Sequence, residues 1–131
     1  MKAIDTLNRR AAERAGRRSE LAASILLRLK GYRILGRRVR TRLGEIDLIA
    51  RSPSGILCFV EVKARAREES ALESVGFRQQ GRIARAAGIY LSQHPKLGHK
   101  GVRFDVVAVG RSLPRHFPGA FHPEDWRGKY A

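Results

Sequence analysis

Two carboxylates and a lysine, Asp47, Glu61 and Lys63, fall where a divalent ion and an attacking water could be handled together. They belong to the segments GEIDLIA (44–50) and ILCFVEVKAR (56–65), joined by RSPSG. Both flanks are rich in Ile, Val, Leu and Phe, and the joint carries turn chemistry, which predicts two antiparallel strands in a short hairpin. Pro53 suits the first central position of a type I turn and Gly55 the left-handed position after it, so the loop is read as three residues closing with a bulge. Ser52 then lies opposite Ile56. Counting back pairs Ala50 with Cys58, Leu48 with Val60 and Ile46 with Val62 on one apolar face. The other face pairs Arg51 with Leu57, Ile49 with Phe59, Asp47 with Glu61, and Glu45 with Lys63.

Facing carboxylates on an otherwise apolar hairpin are destabilising unless something offsets them. A divalent cation would do so, because Mg²⁺ is held by one or two carboxylates while keeping waters and phosphate oxygens in its other positions. Lys63 would then lie beside the ion, where it can orient a water and stabilise charge developing on a phosphate. The alternative is a structural ion cluster neutralised by Lys63, Arg65 or a more distant arginine. With metal absent, the pair is expected to share a raised pKa.

The elements around the hairpin must place these groups. Ser19 is read as the N-cap of a helix over Leu21–Lys30 that ends at Gly31. Ala22, Ile25, Leu26 and Leu29 make one face and Glu20, Ala23 and Leu27 the other, so the helix reads as covered on two sides, with Glu20 able to point at the site. Residues 1–15 form a basic arm or an extension of this helix, with Arg10, Arg14 and Arg17 on one side. Tyr32–Thr41 is a strand interrupted by Gly36; with the turn that follows, it brings Arg37, Arg38, Arg40 and Arg42 beside the carboxylates, suited to gripping phosphates. A charged connection, Ala66–Glu73, leads to a second helix over Ser74–Ser92. Arg78, Arg82 and Arg85 line one of its faces, and stacked like charges there point to an anionic partner. Val102–Val109 is a further strand, in which Asp105 is expected to hold an arginine. The remainder from Arg111, with 122–131 as its terminal piece, reads as a loosely packed tail. His94 and His99 are weak grounds for zinc.

At GEIDLIA and FVEVKAR the chain resembles the YraN-like proteins, small bacterial proteins similar to Holliday-junction resolvases within the PD-(D/E)XK nuclease superfamily. The resemblance runs roughly from Gly16 to Phe121. It implies a restriction-endonuclease-like α/β core, with Asp47 and Glu61 as metal ligands, Lys63 as the residue that assists the water, and Glu20 completing the site. It also implies Mg²⁺ or Mn²⁺ as cofactor and no organic cofactor. Where relatives usually carry asparagine this chain has Arg38, and where many carry lysine on the second helix it has Gln79. Resolvase relatives work as dimers, which makes a homodimer an expectation.

The whole chain bounds these readings. Its 131 residues make one domain, long enough to fold without staples. The order helix, strand, hairpin, helix, strand predicts a mixed sheet of about four to five strands flanked by helices. Lys and Arg total 27 against 12 acidic residues, a formal charge of +15. That excess selects a polyanion, with nucleic acid first and an anionic lipid surface second. No apolar run approaches membrane-spanning length, so no membrane insertion is expected. The lone Cys58 excludes an internal disulfide framework and reads as a core thiol, in keeping with a cytoplasmic protein. Three functions follow: a metal-dependent endonuclease or resolvase acting on DNA, a non-catalytic DNA- or RNA-binding protein, and a basic module for acidic protein or lipid surfaces. The binding residues in the first two are Arg37, Arg38, Arg40, Arg42, Arg65, Arg78, Gln79, Arg82 and Arg85.

Overall fold

The hairpin forms in the expected register over Leu48–Arg51, but the ladder does not extend to the expected pairs of Asp47 with Glu61, Ile46 with Val62 and Glu45 with Lys63. In the computed structural model, which describes residues 2–64, 75–123 and 126, strand β2 (Gly44–Arg51) pairs antiparallel with β3 (Leu57–Ala64). Leu48, Ile49, Ala50 and Arg51 oppose Val60, Phe59, Cys58 and Leu57. The Ser52 amide donates to the Ile56 carbonyl at 2.9 Å, the Gly55 amide closes the turn onto Ser52, and Gly55 takes a φ of 95°. Glycine is the residue that reaches this left-handed conformation without a Cβ penalty.

The hairpin sits inside a five-stranded mixed sheet in the order β1-β2-β3-β4-β5. Strand β1 (Arg33–Thr41), with an irregularity between Ile34 and Gly36, pairs antiparallel with β2. Among the described residues the one parallel pair is β3 with β4 (Val102–Val109), and parallel neighbours need a crossover. Helix α2 (Phe77–Gln93) and a short 3₁₀ turn (Pro95–Gly98) lie in it. The fold is thus the α/β architecture expected, consistent with a restriction-endonuclease-like core.

Two apolar layers fix the helices on the sheet. Ile49, Leu57, Phe59, Phe104 and Val106 pack with Ile83, Ala86, Ala87 and Tyr90 of α2. Leu48, Ala50, Cys58, Val60 and Val107 pack with Ala23 and Leu27 of helix α1 (Lys2–Leu29) on the other side. Strict alternation fails at one place. Ile46, expected to face Val62 beside Leu48, joins the α2-side cluster, whereas Val62 lies against the α1 side. The reason is local: the Asp47 carboxylate takes the Val62 amide, so a side chain stands where a ladder bond would run.

Several further expectations are corrected. Of the two readings of the N-terminal residues the helix extension holds, since Lys2–Leu29 is one helix of 28 residues whose alanine- and arginine-rich start has strong helix formers and no proline, whereas the expected start at Leu21 does not hold. Ser19 is therefore buried in mid-helix and caps nothing. Only the Ala23–Leu27 side is covered; Leu21, Ile25 and Leu29 are 51%, 49% and 82% exposed. The end at Gly31 stands as expected, with the Tyr32 amide bonded to the Leu27 carbonyl and the Gly31 amide to that of Arg28. Helix α2 begins at Phe77 after an extended Gly76, later than the Ser74 expected. The segment after Arg111 holds a fifth strand, β5 (Arg115–Phe121), despite Pro118, since an edge strand tolerates a missing amide. Trp126 packs edge-on against Phe104, with ring centres 5.0 Å apart. Arg65 and the connection Ala66–Glu73 lie outside the described residues.

Candidate active site

Asp47 and Glu61 come together near the end of the hairpin away from its turn. Asp47 Oδ2 accepts the Val62 amide at 2.8 Å. Burial raises the Asp47 pKa; the Val62 bond opposes this, and the charge of Glu20 adds to the rise. Glu61 is 8% exposed. Its carboxyl is pushed up to about 8, first by burial and then by the charge of Asp47, with Lys63 acting in the opposite sense. The pKa is thus raised at both residues, with the repulsion of the partner carboxylate contributing at Glu61 and that of Glu20 and Glu45 at Asp47.

Lys63 and Gln79 tie this pair to α2. Lys63 Nζ lies 3.5 Å from Glu61 Oε1 and donates to Gln79 Oε1 at 3.1 Å, while Gln79 Nε2 donates to Glu61 Oε1 at 2.7 Å. Gln79, grouped from sequence with the residues that grip nucleic acid, is therefore a bridge inside the site. The bridging role has no sequence signal, because the phase of α2 against the sheet is set by packing.

Glu20 approaches from α1 but is already engaged. Arg38 Nε donates to Glu20 Oε2 at 2.6 Å, and the hydrogen bond to Glu20 leads the causes that raise the Arg38 pKa. Arg38 adopts a φ of 49° and is the one non-glycine residue with positive φ among the described residues. Such backbone costs an arginine more than it would an asparagine. Sequence reasoning placed both residues near the site and missed that they pair.

The remaining basic residues frame the site with differing freedom. Arg37 is exposed on β1, Arg42 is exposed in the turn to β2, and Arg40 pairs at 3.2 Å with Glu45. Arg78, Arg82 and Arg85 are all exposed on α2, as the helical spacing requires. Arg17, Glu20, Leu21, Arg37 and Arg38 line an open groove between α1 and β1.

Asp105 has the structural part expected of it. It is fully buried, accepts two bonds from Arg103 at 2.8 and 2.9 Å, one from His116 Nε2 at 2.8 Å and one from the Gly119 amide. Burial alone would raise its pKa, but these four bonds hold it below the ordinary value. Cys58 is buried and its thiol is pushed up to about 12, chiefly by burial, so it is no nucleophile.

Asp47 and Glu61 suit a hard cation. They supply oxygen donors, and ionising both without a counter-charge is what burial and mutual repulsion resist. Glu20 does not join them: among the described residues no three His, Cys, Asp or Glu side chains converge closely enough to hold an ion. Two carboxylates still meet the protein's usual share of a Mg²⁺ shell. Also among the described residues, no helix is long and apolar enough to cross a membrane.

A family model described as "Uncharacterised protein family UPF0102" matches residues 19–109, a span that includes Glu20, Asp47, Glu61, Lys63 and Gln79. The chain is 54% identical over 114 residues to a UPF0102 protein of Agrobacterium fabrum, covering 86% of this chain and 93% of that one. It is 48% identical over 118 residues to a UPF0102 protein of Rhizobium etli, covering 88% and 95%. A UPF0102 protein of Rhodopseudomonas palustris is 47% identical over 116 residues, covering 88% of each.

Proposed function

This chain belongs to the UPF0102 family, and we propose that it is a divalent-metal-dependent endonuclease of the PD-(D/E)XK type that cuts DNA, branched DNA above all, in the manner of Holliday-junction resolvases. One observation carries the reading. Two neighbouring carboxylates, buried Glu61 and half-buried Asp47, both have raised pKa values, chiefly through burial, with a lysine 3.5 Å from Glu61. Paired carboxylates with raised pKa in a basic protein are an arrangement that a bound cation would relieve, and the same ion would offset the charge of a phosphodiester beside it.

Asp47 and Glu61 would hold Mg²⁺ or Mn²⁺. Lewis-acid polarisation of the phosphate and a lowered pKa for a bound water are what such an ion supplies. Lys63, held by Gln79, orients the water and stabilises negative charge on the phosphate oxygens. Arg37, Arg42, Arg78, Arg82 and Arg85, all exposed, grip flanking phosphates. The compartment is the cytoplasm, and two copies working together would cut the two strands of a branched substrate.

A second reading, a DNA- or RNA-binding protein without turnover, draws on Glu20 being tied to Arg38. One assay separates them. Purified protein is incubated with branched, nicked, single-stranded and linear DNA and Mg²⁺ or Mn²⁺. Cleavage should stop in Asp47→Asn and in Lys63→Ala, with DNA affinity in Asp47→Asn equal or higher because a negative charge has left the phosphate site. Tight binding with no cleavage by the unaltered protein supports the second reading. Cleavage that survives Asp47→Asn overturns the site assignment.

A further inference from the structure

Arg38 stands among three carboxylates. It bonds to Glu20 at 2.6 Å, and its charge is felt together with those of Glu45 and Asp47. Glu20 in turn acts on Asp47, so the guanidinium neutralises the side of the site that α1 contributes. The exposure of Arg38 marks the contact as exchangeable. The Arg38 side chain is 33% exposed against 15% for Glu20, and it opens onto the groove shared with Arg17 and Arg37, where an anion can reach it. Its backbone is also held at a φ of 49°, a conformation that persists in arginine only where the surroundings enforce it.

We propose that Arg38 is an internal counter-cation that withholds Glu20 from the Asp47–Glu61 pair until a phosphate of the nucleic acid takes the guanidinium. This inference rests on the metal-site reading above. A guanidinium forms paired bonds with a phosphate as readily as with a carboxylate, so the exchange keeps Arg38 satisfied. Glu20 is then free to turn to the ion, and substrate and metal each favour the binding of the other. The coupling is reciprocal by linkage, and couplings of this kind are commonly roughly 5- to 150-fold. Arg38 acts through Glu20 and is a positioning residue.

The test is a titration of Mn²⁺ into the full chain, alone and with a non-hydrolysable phosphorothioate-linked DNA duplex. The unaltered protein should bind Mn²⁺ at least about 5-fold more tightly when the duplex is present. Arg38→Asn removes the cation yet suits a left-handed backbone, so the fold is kept. It should bind Mn²⁺ tightly without DNA and show less than about 2-fold coupling, and the double variant Arg38→Asn/Glu20→Gln should lose the gain. Arg33→Asn, the same charge change at an exposed site at the other end of β1, should leave the unaltered protein's behaviour in place. Mn²⁺ binding that Arg38→Asn leaves unchanged, or that Arg33→Asn strengthens equally, overturns the exchange and leaves the metal site standing. No Mn²⁺ binding by any variant, with or without DNA, overturns both.

Discussion

Gln79 Nε2 donates to Glu61 Oε1 at 2.7 Å, and the amide oxygen of the same side chain accepts from Lys63. An amide placed this way sets the distance between the lysine and the carboxylate without adding charge. Partners behind a metal ligand are commonly worth roughly 10- to 100-fold in metal affinity or activity. Gln79→Ala should therefore lower metal-dependent cleavage by about that factor while DNA affinity, read by fluorescence anisotropy, changes less than about 2-fold. A fall in affinity with turnover per bound complex preserved would return Gln79 to the nucleic-acid contacts.

Stability should carry the mark of Glu61. Its carboxyl titrates at about 8 in the fold against 4.5 as the ordinary value. Below that ordinary value both folded and unfolded chains hold the proton, and this contribution is complete. Between the two values the unfolded chain releases a proton that the fold retains, so stability falls as pH rises. Asp47 is raised too and acts in the same sense. Asp105 is lowered, and its stabilisation is lost only below about 3.8, in a separate window. Thermal melts of metal-free protein should decline from about pH 5 to about pH 8, and Glu61→Gln should flatten that slope. Saturating Mg²⁺ should reverse it, because the ion binds the deprotonated pair. A slope unaffected by Glu61→Gln would assign the titration elsewhere.

Binding to DNA should be strongly salt-dependent. Arg78, Arg82 and Arg85 are exposed on one helix, and each phosphate neutralised on duplex DNA contributes about −0.9 to the slope of log K against log salt. Replacing all three with alanine should flatten the slope by about two to three. An unchanged slope would move the interface off α2.

Asp105 should matter for folding alone. Its removal would leave Arg103 and His116 beside an uncompensated cavity, and breaking a buried pair by losing one partner costs about 3–5 kcal/mol. Asp105→Ala should lower the denaturation midpoint accordingly, while Mn²⁺ affinity in the fraction that remains folded stays as before.

The hairpin could be read from sequence because two local signals agreed: the turn chemistry of Pro53-Ser54-Gly55 and a period-two pattern on both sides. That agreement placed Asp47 against Glu61. The breakdown at Ile46 was not legible, since it follows from a side chain capturing the Val62 amide in place of the ladder. Strand β5 was hidden by Pro118 and Gly119, which mark a loop unless the strand lies at a sheet edge. The Arg38–Glu20 and Gln79–Glu61 contacts join residues distant in sequence, and pattern gives the face of a helix without the partner that meets it. Basic composition, by contrast, needs no fold to be read.

Residues 3–15 of α1 are exposed. At 1.5 Å per residue they reach about 20 Å past the part of the helix that packs on the sheet. For a duplex lying along that reach, at 3.4 Å per base pair, the arm adds about six base pairs of contact. The length of DNA shielded from chemical cleavage is then set by a helix rather than by the width of the sheet. Deleting residues 2–15 should trim one edge of the footprint by about that length and leave the opposite edge and the melting of the core where they were.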